Sequence, residues 1–267
     1  MKNLTKIIGI IAIIAIVGLT MAACGDDDGA EPPAHLGSTL NFNNEQTYTY
    51  NEETGKYDSF NSNVTISSLM GGTGNITGGK FTYNLATPTS LNDSEGFEEV
   101  FFLYDLFGEI TVSDPDVGMF YIDYFSVSHT TYEYLSKETR SGKVNGNIVT
   151  GTIEDITYVY VDRDVTVTGT AFSDFFIICD MEGSAFSISL KEGWNTVCIT
   201  SVSIMDISTG FSLENMVQHM SVDVKNPASA RWTLDTWSSE PLGSISIAPA
   251  LNILNSQRAL KSARLAQ

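Results

Sequence analysis

The chain has 267 residues and carries 32 acidic side chains against 14 basic ones, for a formal net charge of −18 at neutral pH. A surface of that sign repels polyphosphates, which excludes nucleic acid as a partner. Hydrophobic residues make up 42% of the chain and aromatic residues 10%, which excludes an acidic disordered protein because a hydrophobic core can form.

The first 23 residues have the three regions of an export signal. Lys2 and Lys6 supply the positive end, residues 7–19 are an unbroken apolar run, and Met21-Ala22-Ala23 precede Cys24. This last segment resembles the lipobox of bacterial lipoproteins, whose cysteine is lipidated and becomes the new N-terminus. The apolar run is shorter than the roughly 20 residues of a comfortable bilayer span. We therefore expect cleavage before Cys24, with an uncleaved membrane anchor as the alternative.

Residues 24–38 are predicted to form an acidic tether between the lipid and the folded part. Residues 25–33 contain four acids and two prolines but no large apolar side chain that could pack. Acidic residues after the lipidated cysteine resemble the surface-export signals of Bacteroidetes lipoproteins, which implies the outer membrane and the cell surface as destinations. A plain solvated linker is the alternative. The bilayer, bound through acyl groups on Cys24, is the first expected partner.

Most of residues 39–249 are predicted to form short strands separated by glycine- or asparagine-bearing turns. Gly78-Gly79 predicts a two-residue hairpin turn because both positions can adopt positive φ, and Asn145-Gly146 predicts a second one. Residues 119–127 carry aromatic side chains on both faces, which is typical of a strand covered on both sides. Valines alternate with threonines over residues 165–168, which predicts one buried and one solvated face.

Helix signals are few. Leu213, Met216, Val217 and Met220 have the spacing of one helical face, which predicts one short helix, although residues 220–224 also alternate as a strand would. Residues 250–267 are predicted to form a C-terminal tail or helix. The predicted fold is therefore all-β, an antiparallel β-sandwich over residues 39–249. Two β-sandwich subdomains that divide near residue 140 are the alternative.

Three internal segments, together with the lipobox, carry a family resemblance. They are residues 74–81 (GNITGGKF), residues 158–169 (YVYVDRDVTVTG) and residues 190–195 (LKEGWN). In this combination the chain resembles β-rich surface lipoproteins of Bacteroidetes and spirochaetes. The resemblance implies a β-rich extracytoplasmic lipoprotein and brings no catalytic residues with it.

Two cysteines follow Cys24 in the chain, Cys179 and Cys198, and both lie in predicted strands. An exported protein enters an oxidising compartment, so the two thiols could form a disulfide between neighbouring strands. Two buried free thiols are the alternative.

Two Asp-x-Asp segments in predicted turns are candidate calcium sites. Asp114 and Asp116 lie in one segment, and Asp162 and Asp164 lie in the other. Carboxylate oxygens on a tight turn suit a hard cation, but neither segment is a full calcium-binding loop with a terminal glutamate. Solvated turn aspartates are the alternative, and the sequence predicts no other metal and no cofactor besides the lipid on Cys24.

Exposed aromatic side chains on a β-sandwich can stack against sugars, so Trp194 and Trp237 are candidate ligand-facing residues. The alternative for Trp194 is that its indole packs down on the edge of the sandwich.

The sequence predicts no catalytic residues. The three histidines, His35, His129 and His219, do not lie in a nucleophile motif. Glycoside hydrolysis needs only two carboxylates, but no spacing identifies a pair among the 32 acids. The leading hypothesis is a non-catalytic binding or scaffold lipoprotein whose partner is an extracellular protein or glycan. A carbohydrate-active hydrolase is the alternative.

Overall fold

The computed structural model describes residues 34–51, 54–67, 73–85, 87–93, 95–97, 106–107, 110–173, 180–182, 184–208 and 216–236. The predicted signal peptide, Cys24, Cys179, Trp237 and the segment 250–267 lie outside these residues. Their predictions therefore stay predictions.

The fold is all-β and its sheets are mainly antiparallel, as predicted. Gly96 and Phe97 are the only helical residues among those described. The described strands are β1 (His35–Gly37), β2 (Leu40–Asn51), β3 (Lys56–Ser59), β4 (Val64–Ser67), β5 (Thr73–Thr77), β6 (Lys80–Leu85), β7 (Leu106–Phe107), β8 (Thr111–Val112), β9 (Met119–Ile122), β10 (Tyr124–Ser128), β11 (Tyr134–Asn145), β12 (Ile148–Val161), β13 (Val165–Ser173), β14 (Asp180–Glu182), β15 (Ser184–Leu190), β16 (Gly193–Asp206), β17 (Met216–Asp223) and β18 (Arg231–Asp235).

The two-residue turn at Gly78-Gly79 is confirmed, since these residues join β5 to β6 with φ of 54° and 77°. The second hairpin is present, but its turn lies one residue later than predicted: Asn145 still pairs with Ile148, and Gly146 and Asn147 join β11 to β12, with a φ of 62° at Gly146. These left-handed values favour glycine because it has no Cβ.

The larger sheet contains a closed ring of strands. Its hydrogen-bonded order runs β10-β4-β5-β6-β2-β18-β11, and β11 pairs again with β10. The pairing of β18 with β2 is parallel, with Thr233 opposite Tyr48. Every strand of the ring places at least one buried apolar side chain in the same core. The ring therefore encloses that core, which we call the ring core.

The sheet leaves the ring along β11 and continues through β12, β16, β17 and β14. One edge of β12 pairs with β11 and then with β9, while its other edge pairs with β16 over its whole length. A bend at Asp123 separates β9 from β10, so the first strand pairs with β12 and the second with β11 and β4. Asp123 therefore lies at the position where the closed ring separates from the rest of the sheet.

A second core lies on the opposite face of β12 and β16. Val159 and Val197 of these strands belong to one cluster with Val167 of β13 and Ile188 of β15, from the smaller sheet. The two sheets therefore form a sandwich-like arrangement. Because β12 and β16 have a core on each face, residues 156–161 and 193–199 are buried without alternation.

The prediction of a short helix is wrong at the residues that the structure describes. Met216 and Met220 lie in β17, whose buried and half-buried residues alternate, and Leu213 lies outside the described residues. Backbone pairing with β16 decides the conformation, with Val217 opposite Ile204 and Met220 opposite Ser201. A strand of period two brings Met216 and Met220 to one face just as a helix would.

Paired structure also begins before the predicted end of the tether. The tether was predicted to reach residue 38, but β1 is already paired with β16, where Thr196 donates to the Ala34 carbonyl oxygen at 2.7 Å. The alternative of two subdomains that divide near residue 140 finds no support within the described residues, because β11 runs across this position with Arg140 paired to Ile153.

No helix among the described residues has the length and apolarity needed to cross a bilayer.

Candidate functional site

A cavity of about 410 Å³ opens beside the ring core, where β1 and β2 pass the loop before β18. We call it the rim pocket. Its walls come from four parts of the chain that only the fold brings together. The lining residues are Leu36, Thr39, Leu40, Asn41, Phe42, Glu45, Lys137, Tyr158, Asn226, Pro227, Ala228, Ala230 and Trp232.

The apolar wall of the rim pocket is continuous with the ring core. Leu40 is 1% exposed, and Tyr158 and Trp232 are each 2% exposed. The two aromatic rings stack with centroids 5.9 Å apart, and Phe42 meets the indole edge to face at 4.7 Å. Because these rings pack against one another, the apolar wall of the pocket is preformed and does not depend on a bound ligand.

Lys137 brings a positive charge to the rim pocket. The register of β11 with β18 places it directly opposite Trp232, and its Nζ lies 5.9 Å from the indole centroid. The Nζ donates to Asn226 Oδ1 at 3.0 Å. Burial lowers the pKa of Lys137, and the nearby Glu45 carboxylate opposes that shift. An ammonium has three donors, so it can still donate to a ligand.

Glu45 reaches the rim pocket because of an irregularity in β2. The register with β6 shifts between Phe42, opposite Tyr83, and Glu45, opposite Phe81. Asn44 lies in the shifted segment with a φ of 58°, uncommon for a residue other than glycine. Because directly opposed residues share a face, Glu45 projects to the same side as the buried Phe81. The bulge thus aims a carboxylate at the pocket, a role that bulges often have beside functional sites.

The field of Glu45 also reaches the pocket wall. Burial is the main cause that raises the pKa of Tyr158, and the Glu45 carboxylate raises it further. Within the described residues, the Tyr158 hydroxyl and the Trp232 Nε1 are buried without a hydrogen-bond partner. An unsatisfied buried polar group costs about 1–3 kcal/mol, so the wall holds unused hydrogen-bonding capacity.

A second polar cluster lies on the outer face of the same sheet. Glu138 of β11 is buried and pairs with Arg140, whose Nη2 donates to Glu138 Oε2 at 3.0 Å and to Asp235 Oδ2 at 2.7 Å. Arg140 Nε also makes a 2.8 Å ionic contact with Glu138 Oε1 that is not aligned as a hydrogen bond. The backbone N–H of Arg140 donates to the Tyr57 hydroxyl at 2.7 Å.

Several acids of this outer cluster titrate far from their usual range. Burial raises the pKa of Asp155 to about 7, and repulsion from Glu138 raises it while Arg140 lowers it. Burial likewise raises the pKa of Asp123 to about 6 and that of Glu138 above its ordinary value. The charge of Arg140 opposes the rise in pKa at Glu138 and Asp155.

Three of the four calcium candidates contact basic side chains, and two of them, Asp114 and Asp162, share one arginine. Arg163 contacts Asp162 Oδ1 at 3.0 Å and Asp114 Oδ2 at 3.5 Å, and Lys191 contacts Asp164 at 2.7 Å. Asp114 also accepts from the backbone N–H of Asp116 as a turn residue does. The described residues contain no group of three or more side chains arranged for a metal ion. These contacts fit turn aspartates better than calcium ligands.

The prediction that Trp194 faces a ligand is wrong. Its side chain is fully buried and meets Phe120 and Tyr160 edge to face at 6.3 and 5.6 Å. The reason is that β16 has a core on each face, which leaves no solvent side for the indole. Trp237, the other candidate aromatic, lies outside the described residues.

Cys198 carries a free, buried thiol, so the structure shows no disulfide at this residue. Its Sγ lies 3.8 Å from Thr200 Oγ1, and burial raises the pKa of the thiol to about 12. Cys179 lies outside the described residues.

The rim pocket was missed at the sequence level, although two signals point to it. Lys137 has the strand parity of the buried Leu135, so a lysine is placed on an apolar face. Asn43 and Asn44 interrupt the alternation of β2 and mark the bulge. Asn226 lies outside a regular strand and gives no comparable signal.

Comparisons with protein-family models, with curated proteins and with solved structures found no match to this chain.

Proposed function

We propose that this chain is an exported lipoprotein, held on the outer membrane by acyl chains on Cys24, whose β domain is a non-catalytic binding module. The observation that carries the binding role is the rim pocket, where Lys137 and Glu45, which form no ion pair with each other, lie beside a packed aromatic wall. Concave sites with an apolar lining and a few converging polar groups are the usual form of small-molecule sites.

The order of the segments supports the same proposal. The lipobox and the acidic residues 25–33 precede β1, and Leu36, Thr39 and Leu40 of the next stretch already line the rim pocket. The chain order therefore places the predicted lipid anchor directly before the predicted binding module.

The anchor is tested by fractionating cells of the native host that express the wild type, Cys24→Ala, or Cys198→Ala as a matched cysteine control. We expect the wild type and the control in the outer-membrane fraction and Cys24→Ala outside it. Protease added to intact cells then distinguishes surface from periplasm, since only a surface protein is cleaved before the outer membrane is breached. Equal distribution of all three variants would contradict lipid anchoring.

A second candidate, a glycan hydrolase, is favoured by one observation. Asp155 has a pKa of about 7 and lies opposite Glu138 across β11 and β12, so a carboxyl that can hold a proton is next to a second acid. Neither residue lines the rim pocket. Release of reducing sugar by the purified wild type, lost in Asp155→Asn, would establish this activity instead.

A further inference from the structure

The rim pocket holds one side chain of each charge and keeps them apart. Lys137 donates to Asn226 and forms no ion pair with Glu45 within the described residues, although the field of Glu45 acts on it. An anion drawn to Lys137 would meet Glu45, and a cation drawn to Glu45 would meet Lys137. The chain's net charge of −18 also opposes anions. The arrangement therefore favours a ligand without net charge.

The pocket also contains both hydrogen-bond donors and hydrogen-bond acceptors. Lys137 only donates, Glu45 only accepts, and the amide side chains of Asn41 and Asn226 can do both. A hydroxyl group donates and accepts at once, so neighbouring hydroxyls on one molecule can serve Glu45 and Lys137 together. Carboxylates or ammonium groups would satisfy only half of the set.

We propose that the rim pocket binds an uncharged polyhydroxylated molecule, a saccharide residue, with its hydroxyls shared between Glu45 and Lys137 and its C–H face against Leu40 and Phe42. The proposal rests on the proposed binding function of the pocket. The volume of about 410 Å³ lies in the range of small-molecule sites, roughly 300–1,000 Å³.

A zwitterion is the nearest competitor, since its two charges could each find a partner. Three observations place it second. Lys137 already donates to Asn226 and packs over the Trp232 ring, and its burial weakens the charged form. Such an amine is better suited to donate to a neutral oxygen than to hold a carboxylate.

The test is calorimetric titration of the full-length lipidated protein, purified from membranes in a non-glycosidic detergent. Four probe classes are compared: glucose, galactose and N-acetylglucosamine; glucuronate; glucosamine; and serine. We expect a neutral sugar to bind at least ten times more tightly than the charged sugars and serine. Lys137→Met and Glu45→Gln should each weaken that binding at least tenfold, whereas Lys143→Met, an exposed lysine of the same strand, should not.

Ala230→Phe fills the pocket without removing a charge and should also abolish binding. Thermal melts check that each variant is folded. If glucuronate, glucosamine or serine binds best and Ala230→Phe abolishes that binding, the proposal of an uncharged saccharide is overturned and the binding function stands. If no probe binds, or if Ala230→Phe leaves binding unchanged, the saccharide proposal is overturned and so is the role of the rim pocket.

Discussion

Replacing Asp155 by asparagine should make the protein more stable at pH 8 and remove much of its dependence on pH. The pKa of Asp155 is about 7 in the folded state against 3.8 ordinarily, because burial and Glu138 disfavour its charged form. As pH rises from about 4 to 7, the unfolded chain loses this proton first, so the free energy of unfolding falls and then levels off. The cost of ionising the buried group reaches about 4 kcal/mol at pH 8.

The assay is urea denaturation at pH 5 and pH 8 for the wild type, Asp155→Asn and Asp58→Asn, an exposed acid-to-amide control. For Asp155 alone the wild type should lose about 3 kcal/mol between the two pH values. Asp123, with a pKa of about 6, should add to this loss in the free energy of unfolding. Asp155→Asn should show a clearly smaller loss, and Asp58→Asn should match the wild type. An equal loss in all three proteins would refute the assignment to Asp155.

Three further changes probe the packing. Trp194→Ala should lower the free energy of unfolding by about 3–5 kcal/mol because the indole is fully buried, and a change under about 0.5 kcal/mol in urea melts would mean an exposed ring. Gly193→Ala should loosen β1, since φ is 106° and a new Cβ would lie 2.6 Å from the Gly37 carbonyl oxygen. Hydrogen exchange over residues 35–37 should rise more than in Gly146→Ala, which has positive φ but open space, and equal exchange would count against this. In a Cys179→Ser background, iodoacetamide should modify Cys198 only after unfolding, and rapid labelling of the native protein would contradict its burial.

Features set by neighbouring residues could be predicted from the sequence. The Gly78-Gly79 turn and the hairpin at Gly146 are local features, because they need only a residue that tolerates positive φ between two strand-forming segments. The all-β class follows from many such segments with few helix signals.

Features set by pairing between strands that are distant in the sequence could not be predicted in this way. Met216 and Met220 fit a helical face and a strand face equally well, and only the partner strand β16 decides between them. Closure of the ring depends on β18 pairing with β2, which no local pattern encodes. Trp194 stands in a turn-like motif, yet its burial comes from two cores on either side of one strand.

The candidate site shows the same limit. The bulge at Asn44 and the parity of Lys137 are visible in the sequence, but their convergence on one pocket depends on the registers of β2 with β6 and of β11 with β18. A one-residue slip in either register would turn Glu45 or Lys137 to the other face.

The proposed maturation and lipidation at Cys24 can be measured by intact mass spectrometry of the protein extracted from host membranes. We expect a chain that begins at Cys24 and carries the added mass of diacylglycerol and acyl groups on that residue. A chain that retains residues 1–23, or one that begins elsewhere without lipid, would contradict it.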